Sequence, residues 1–212
     1  MSERERFDPR LLQPRRPEHF DALYEGRPPW DIGRPQPAFV ALAEAGAIRG
    51  RVLDVGCGTG EHALLAAELG LEATGVDVAA AAIDAARAKA AERGLAVRFV
   101  VGNALELPAL GERYDTVLDS GLFHVLEDDD RPAYVASLAS VTRPGGRCHL
   151  LCFSDRTLGP RRVTQDELRA SFALGWRVEA IEPATIDAIS GRGAVQAWLA
   201  TFTRVEAAGR MA

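Results

Sequence analysis

Residues 51–60 read RVLDVGCGTG and join a short apolar run to three glycines at alternate positions. The apolar run predicts a buried strand over 51–55, and the glycines predict a turn into an Ala- and Leu-rich helix that extends to about Leu69. Gly70 is expected to end that helix. In a strand, glycine turn and helix of this kind, backbone N–H groups can approach a bound ligand closely because side chains are absent.

Strands and helices continue to alternate on the carboxyl side of this motif. Further strands are predicted at 72–77, 97–101, 114–119, 146–153, 176–186 and 194–205. Helices are predicted at 79–93, 131–142 and 164–173, the last with a capping box formed by Thr164 and Glu167. These elements predict a single α/β domain with a doubly wound, mostly parallel sheet of seven strands, which ends in an antiparallel C-terminal pair around a turn at 190–193.

The length and the charge of the chain restrict its function. A chain of 212 residues suits one domain. The 25 Lys and Arg residues against 30 Asp and Glu residues give a formal charge of −5, which argues against a nucleic acid as the substrate. We therefore expect a small-molecule substrate, and a protein that is a monomer or a homodimer.

The cysteines and the N-terminus favour a cytoplasmic protein. Cys57, Cys148 and Cys152 are odd in number and lack the paired C-x-x-C spacing of a zinc site, so we expect reduced thiols and no metal. Residues 1–6 are mostly charged and are followed by prolines rather than by the apolar core of a signal peptide. No segment of the sequence has the apolar length that a membrane span needs.

Acidic residues flank the glycine turn. Asp54 stands shortly before it, and Asp77 ends the next predicted strand. NAD-binding domains also place a glycine-rich turn at this position, with an acid about 20 residues further on that binds ribose hydroxyls. Their glycines are spaced G-x-G-x-x-G, whereas this chain has Gly56, Gly58 and Gly60. The alternate spacing and the position of Asp54 favour a different cofactor.

Over roughly residues 50–155, this ordered series resembles the class I S-adenosylmethionine methyltransferases. The resemblance implies a Rossmann-like fold, S-adenosylmethionine as the cofactor and S-adenosylhomocysteine as its product. It also implies that the bare backbone of the glycine turn admits the methionine part and that Asp77 accepts both ribose hydroxyls. The implied cofactor contacts are Tyr24, Trp30, Asp54, Gly56, Gly58, Gly60, Asp77, Val78, Asn103, Ala104 and Asp119.

Three of these contacts have distinct implied roles. Asp54 would order the glycine turn or meet the ammonium group of the cofactor through water. Val78 would pack on the adenine ring. Asn103 stands where the family more commonly has Asp, and it would reach the adenine amino group.

The N-terminal part of the chain carries aromatic residues among prolines, and residues 26–37 read GRPPWDIGRPQP. This part resembles the Pro-Trp-Asp segment of the thiol, halide and thiopurine methyltransferases and of related bacterial enzymes that methylate heterocyclic toxins. We expect residues 1–48 to form a lid over a cofactor-binding core at 49–205, with Trp30 presenting a ring face to the sulfonium. The alternative is that Trp30 only anchors a loop.

The side of the site that holds the methyl acceptor is expected after the fourth strand, where residues 119–124 read DSGLFH. This stretch lacks the Asn/Asp-Pro-Pro-aromatic motif of nucleic-acid amino methylases, which favours a small molecule. His124 is the candidate general base, because a neutral imidazole can take a proton near pH 7; the alternative is that it only lines the pocket. His62 is expected to be a solvated residue in the first turn of its helix, and the alternative is a contact with the cofactor. The expected substrate contacts are Phe20, Phe123, His124, Phe153 and Arg162.

The leading hypothesis is an enzyme that transfers a methyl group by in-line displacement to a thiol, a hydroxyl or a ring nitrogen of a small molecule, with heterocycles among the candidate acceptors. Two alternatives stay open. An NAD(P)-linked oxidoreductase would share the glycine turn and Asp77, although the chain has no Tyr-x-x-x-Lys pair. A non-catalytic nucleotide-binding module would retain the fold without the transfer activity.

Overall fold

The computed structural model describes residues 17–24, 26–156, 161–189 and 194–206. Residues 1–16 of the expected lid and the predicted turn at 190–193 lie outside these ranges. Within them, the strands are β1 Val52–Val55, β2 Ala73–Asp77, β3 Val97–Val101, β4 Tyr114–Ser120, β5 Thr142–Phe153, β6 Trp176–Ile186 and β7 Val195–Arg204.

The helices surround this sheet. The α-helices are α1 Pro17–Tyr24, α2 Pro37–Glu44, α3 Glu61–Glu68, α4 Ala80–Arg93, α5 Arg131–Val141 and α6 Gln165–Ser171, and two 3₁₀ segments span Ala104–Leu110 and Phe123–Val125. Helix α6 begins with the predicted capping box, in which the side chains of Thr164 and Glu167 each accept from the other residue's backbone N–H. Among the described residues, no helix has the length and apolar character that crossing a membrane requires.

The seven strands form one sheet in the order β3-β2-β1-β4-β5-β7-β6, as the sequence predicts for a doubly wound domain. Strands β1 to β5 run parallel, and β7 pairs antiparallel with both β5 and β6. The largest difference from the predicted strand boundaries is at the start of β5. Strand β5 begins at Thr142 rather than at Gly146, because Thr142 already pairs with Tyr114 before the ladder shifts register.

Apolar side chains cover both faces of the sheet. On one face the core includes Tyr134, Phe172 and Phe202, with the rings of Phe172 and Phe202 stacked at a centroid distance of 3.8 Å. On the other face Phe39 and Ile83 belong to a second buried cluster. Because both faces are packed, the open space for a ligand lies at the carboxyl ends of the parallel strands, where this architecture binds ligands.

The turn from β1 into α3 depends on a glycine at position 60. Gly60 precedes the first residue of α3 with a φ of 85°, in the left-handed region. A Cβ atom at this position would lie 2.7 Å from Cζ of Phe99 and 3.0 Å from Cβ of Ala86. Gly60 therefore combines an unusual backbone conformation with a close approach of α3 to the neighbouring core.

We expect Gly60→Ala to destabilise the protein more than the control Gly70→Ala. Both positions have a left-handed φ, which costs a non-glycine residue about 1–2 kcal/mol, but a Cβ at Gly70 meets nothing within 4 Å. Overpacking against Phe99 should add about 1–3 kcal/mol at position 60 alone. Urea unfolding of the two variants measures the difference, and equal losses of unfolding free energy would contradict the packing argument.

Candidate active site

A cavity of about 400 Å³ opens at the carboxyl ends of the parallel strands. It is bounded by residues 56–60, called here the glycine loop, by residues 26–37, called here the cover segment, and by the turn after β4. The residues predicted from the sequence that line it are Phe20, Tyr24, Trp30, Gly56, Gly58, Asp77, Val78, Asn103, Ala104, His124 and Phe153. Five other predicted residues do not line it, namely Asp54, Gly60, Asp119, Phe123 and Arg162.

Asp77, at the end of β2, accepts hydrogen bonds from the glycine loop and from the turn that follows β2. Its Oδ2 accepts a hydrogen bond from the N–H of Gly58 at 2.8 Å, and its Oδ1 accepts from the N–H of Ala79 at 2.9 Å. Burial raises the pKa of the carboxyl, although these hydrogen bonds act in the opposite direction. Each carboxylate oxygen can accept a further hydrogen bond, so Asp77 can hold the glycine loop and a ligand together.

Asp54 is fully buried below the glycine loop and does not reach the cavity. Its Oδ2 accepts from the N–H of Ala63 at 3.1 Å, in the first turn of α3. Its Oδ1 has no hydrogen-bond partner within the described part of the chain, and burial raises the pKa of the carboxyl to about 8. Of the two roles implied by the resemblance, this geometry matches the ordering of the loop.

The structure corrects the prediction that Asp119 and Phe123 line the site, because both side chains lie in the interior. Asp119 accepts hydrogen bonds from the hydroxyl of Tyr134 at 2.8 Å and from the N–H of Leu122 at 2.8 Å. The turn after β4 is a 3₁₀ segment that directs the ring of Phe123 into the core against Phe172, with no exposed surface. The same turn places Leu122 and His124 on the cavity.

The prediction that Gly60 and Arg162 line the site is also corrected. Gly60 faces the ring of Phe99 rather than the cavity. Arg162 is exposed to solvent. Its neighbour Arg161 is bound at the surface, where it donates to the carbonyl oxygen of Val125 and to Oε1 of Glu127, both at 2.6 Å. Arg161 therefore holds the turn after β4 in place, and neither arginine lines the cavity.

The end of the cavity beside β3 carries a polar side chain next to small apolar residues. Oδ1 of Asn103 accepts from the N–H of Leu105 at 3.0 Å and so caps the following 3₁₀ segment. Val78 and Ala104 line the cavity on either side. The amide of Asn103 therefore has a fixed orientation, and its NH₂ group is the remaining donor of that side chain.

The cover segment is joined to the glycine loop by two aromatic residues. The indole N–H of Trp30 donates to the hydroxyl of Tyr24 at 3.1 Å, and the two rings meet edge to face at 6.4 Å. The Tyr24 hydroxyl lies 2.6 Å from the place that a Cβ of Gly58 would occupy. Glycine is therefore required at position 58 for the aromatic pair to approach the loop.

A network of charged side chains forms a second connection between these parts. The hydroxyl of Thr59 donates to Oδ1 of Asp31 at 3.1 Å. Lys89, on α4, donates to Thr59 and to Oε1 of Glu61, both at 2.7 Å. Glu61 also pairs with Arg93 at 2.9 Å. The cover segment, the glycine loop and α4 thus share one hydrogen-bonded cluster at the wall of the cavity.

Gln36 ties the far end of the cover segment to the residue after β6. Its amide donates to the carbonyl oxygen of Asp187 at 3.0 Å and accepts from the N–H of Asp187 at 2.8 Å. Arg34 adds an ion pair with the Asp187 carboxylate at 2.6 Å. Trp30 lines the cavity and belongs to a segment that is anchored at both ends.

His124 is held by the backbone of β5. Its Nδ1 accepts a hydrogen bond from the N–H of Phe153 at 3.3 Å, and its ring stacks on the Phe153 ring at 4.1 Å. A nitrogen that accepts from an N–H carries no proton, so the neutral imidazole has its proton on Nε2. While the hydrogen bond from Phe153 is present, the lone pair of Nδ1 is occupied and the N–H of neutral His124 is at Nε2.

His62 is buried rather than solvated, which corrects the expectation from the sequence. It is 8% exposed and lines the cavity beside Gln36. Its Nε2 accepts from the backbone N–H of Gln36 at 3.1 Å, and its ring packs on Phe39 at 4.5 Å. Burial lowers the pKa of His62 to about 4, so the imidazole is neutral near pH 7.

Sequence reasoning missed several residues of the cavity because they come from distant parts of the chain. His62 and Gln36 meet through a backbone hydrogen bond that no local spacing indicates. Ile186, at the end of β6, reaches the cavity only because β6 lies at the sheet edge near the cover segment. The prolines on both sides of Gln36 were the available signal, since they predict an extended segment with a fixed course.

The glycine loop, the acid at the end of β2 and the cavity at the strand ends define a Rossmann-like site for a cofactor that contains a nucleoside. A family model described as a methyltransferase domain matches residues 52–146. The 2-heptyl-1-hydroxyquinolin-4(1H)-one methyltransferase of Mycobacteroides abscessus is 38% identical to the chain, and the match covers 79% of this chain and 80% of that protein.

Two solved structures are also similar. One, from work on the conversion of a disulfide bond into a thioacetal group during echinomycin biosynthesis, is 44% identical with a TM-score of 0.84, covering 90% of this chain and 93% of that one. The other is the Burkholderia thailandensis 1,6-didemethyltoxoflavin-N1-methyltransferase with bound S-adenosylhomocysteine. It has a TM-score of 0.70 at 24% identity, covers 90% of this chain and 87% of that one, and shows the fold.

The chain belongs to the class I S-adenosylmethionine-dependent methyltransferases that act on small molecules. This confirms the family, the fold, the cofactor and the reaction class predicted from the sequence. The matches give no support to an NAD(P)-linked oxidoreductase.

We expect Asp54→Asn to reduce the loss of stability that accompanies a rise in pH. The pKa of Asp54 is higher in the folded state than in the unfolded chain, so folding takes up a proton between about pH 4 and pH 8. The contribution of this group to the free energy of unfolding is therefore complete below about pH 4 and declines as pH rises, by at most about 1.4 kcal/mol per pH unit.

Urea unfolding of the two proteins at pH 5.5, 6.5 and 7.5 checks this expectation. The variant should show the shallower pH dependence. The control Asp129→Asn, at an exposed position, should follow the pH dependence of the unchanged protein. Parallel curves for Asp54→Asn and the unchanged protein would show that Asp54 is ionised in the folded state.

Proposed function

We propose that the protein methylates an oxygen of an acidic hydroxyl group on an apolar heteroaromatic ring, and that it accepts this substrate as the anion. The observation that carries the proposal is the backbone hydrogen bond to Nδ1 of His124, which turns the expected base into a donor. A site that offers a donor suits a methyl acceptor that arrives already ionised.

The residues of the cavity fit the cofactor of the family. Bound S-adenosylmethionine supplies an electrophilic methyl group on a sulfonium. Gly56 and Gly58 leave the backbone bare where the methionine part would lie, and Asp77 has lone pairs for the ribose hydroxyls. Val78 and Asn103 would hold the adenine, the first by packing and the second through its NH₂ group.

The lining of the cavity is mostly apolar, which supports a ring-bearing methyl acceptor. Its apolar side chains include Phe20, Leu122, Val125, Leu126, Phe153 and Ile186. The stacked rings of His124 and Phe153 offer a flat surface for an aromatic ring. The net charge of −5 supports a small molecule rather than a nucleic acid as the methyl acceptor.

The proposed substrate class matches the relative from M. abscessus. The name of that relative specifies an N-hydroxyl group conjugated through a ring with a carbonyl group. Ionisation of such a hydroxyl spreads the charge over two oxygens and leaves a nucleophile that needs no general base. The protein then has to align the ring, exclude water and hold the charge.

A sulfur atom is the second candidate for the methyl acceptor. The similar solved structure at 44% identity comes from work on the conversion of a disulfide bond into a thioacetal group. A thiolate also needs no base at neutral pH, so the same cavity suits it. The substrate panel described below separates oxygen from sulfur.

The N-terminal residues complete the proposal. We propose that the described part of the expected lid, residues 17–48, covers the cofactor and the methyl acceptor and excludes water. Its contacts through Thr59 and Asp187 support a cover that stays attached at both ends.

The thiols of Cys57, Cys148 and Cys152 are buried and unpaired, which supports a cytoplasmic location.

We expect Asp77→Ala to lower the affinity for S-adenosylmethionine by 100-fold or more. The variant loses the proposed contacts to two hydroxyls, each worth about 1.5–3 kcal/mol to a charged group, and it releases the glycine loop from Gly58. Asp77→Asn should lie between the two proteins, because its amide oxygen can still accept one backbone hydrogen bond. Isothermal titration measures the affinities, and unchanged binding by Asp77→Ala would contradict the site.

We expect the unchanged enzyme to methylate 2-heptyl-1-hydroxyquinolin-4(1H)-one, with a rate that follows the ionisation of the substrate. His124→Gln, which keeps a donor near the position of Nε2, should stay within about tenfold of the unchanged enzyme. His124→Leu, which has no donor, should lose about 10–100-fold in kcat/KM, the value of one hydrogen bond to a charged group.

The panel for this experiment adds thiophenol, 8-hydroxyquinoline and a simple alcohol, with product formation followed at pH 6 to 9. Turnover of thiophenol alone would shift the assignment to sulfur. Equal losses of about 100-fold or more for both His124 variants would restore the role of a general base. No product from any compound, despite cofactor binding, would support the non-catalytic module.

A further inference from the structure

The tautomer of His62 is fixed by the chain itself. Its Nε2 accepts the backbone N–H of Gln36 at 3.1 Å, so this nitrogen carries a lone pair and the proton of the neutral ring is on Nδ1. A backbone N–H cannot reverse its role in a hydrogen bond. The contact therefore makes Nδ1–H a donor for as long as the ring keeps its place.

The donor at Nδ1 is open toward the cavity. His62 is more than nine-tenths buried, and within the described ranges of the chain its Nδ1 has no hydrogen-bond partner. Nδ1 is not fully enclosed by protein atoms, and His62 lines the cavity. A neutral donor that is nearly buried yet accessible from the cavity can be satisfied by an oxygen of a bound molecule.

The position of the His62 ring is held by two contacts, with the backbone N–H of Gln36 and with the ring of Phe39. Gln36 is itself fixed by its two hydrogen bonds with the backbone of Asp187, and the ring face packs on Phe39. The lowered pKa of His62 keeps the imidazole uncharged across the working pH range. A rigid, neutral donor discriminates between ligands by geometry rather than by charge, since a ligand without the matching oxygen leaves the N–H unpaired.

We propose that Nδ1–H of His62 donates a hydrogen bond to a second oxygen of the methyl acceptor, one that is conjugated with the oxygen that receives the methyl group. This inference rests on the proposed function and adds the feature of the substrate that the site selects. His124 lines the same cavity, and the hydrogen bond to its Nδ1 leaves the ring proton on Nε2. Ring compounds that bear a single oxygen or sulfur should then bind less well.

Two substitutions separate the two nitrogens of His62. His62→Gln places an amide oxygen near the position of Nε2, so it can keep the contact with Gln36 while the donor at Nδ1 is lost. His62→Asn places its NH₂ group near the position of Nδ1 and keeps the donor while the contact with Gln36 is weakened. Thermal unfolding and circular dichroism identify a variant that fails to fold, and the other variant then remains for the test.

The experiment measures the binding of 2-heptyl-1-hydroxyquinolin-4(1H)-one and of thiophenol to the enzyme saturated with S-adenosylhomocysteine. We expect His62→Gln to raise the Kd of the hydroxyquinolone at least tenfold relative to that of thiophenol, and His62→Asn to restore most of this ratio. An equal change for both compounds would assign His62 a structural role and overturn the proposal. So would a selective loss of S-adenosylhomocysteine affinity, which would assign the donor to the cofactor.

Failure of the proposed function gives a different result. In that case the unchanged enzyme forms no methylated hydroxyquinolone, whatever residue stands at position 62. The binding ratio is measured without turnover, so it still decides whether His62 recognises the second oxygen. An unchanged ratio in both variants would overturn the role of His62 while leaving the methylation reaction in place.

Discussion

The site depends on one constraint, namely that the backbone N–H groups leaving the parallel strands need hydrogen-bond acceptors. Side chains at the strand ends supply them: Asp54 for Ala63, Asp77 for Gly58 and Ala79, Asn103 for Leu105, and Asp119 for Leu122. Buried N–H groups without partners would cost about 1–3 kcal/mol each. The loops around the cavity are therefore ordered by the chain itself, and two of these acceptors, Asp77 and Asn103, also line the cavity.

This constraint explains how far the sequence could predict the structure. The apolar runs, the glycine turn and the capping box are local signals, and they gave the strands, the sheet and the family correctly. Asp77 and Asp119 look alike in sequence, because each is an acid at or next to a strand end. The hydroxyl of Tyr134 and the turn after β4 enclose Asp119, whereas Asp77 stays beside the cavity, and only the tertiary structure distinguishes them.

The protonated nitrogen of each of the two histidines could not be predicted from the sequence either. The sequence offered His124 as a base and His62 as a surface residue. In the structure, backbone N–H groups from β5 and from the cover segment each occupy one nitrogen, so both rings become donors in their neutral forms. Contacts between distant parts of the chain thus set which proton each ring carries. The proposed anionic substrate would complement these two donors.

Nitrogen NMR of the enzyme labelled with ¹⁵N-histidine is the most direct test of whether these backbone contacts fix the tautomers of His62 and His124. The chemical shifts of the two ring nitrogens report which one carries the proton. We predict a proton on Nδ1 for neutral His62 and on Nε2 for neutral His124, with the peaks assigned from His62→Asn and His124→Gln. A proton on Nε2 of His62 or on Nδ1 of His124 would contradict it.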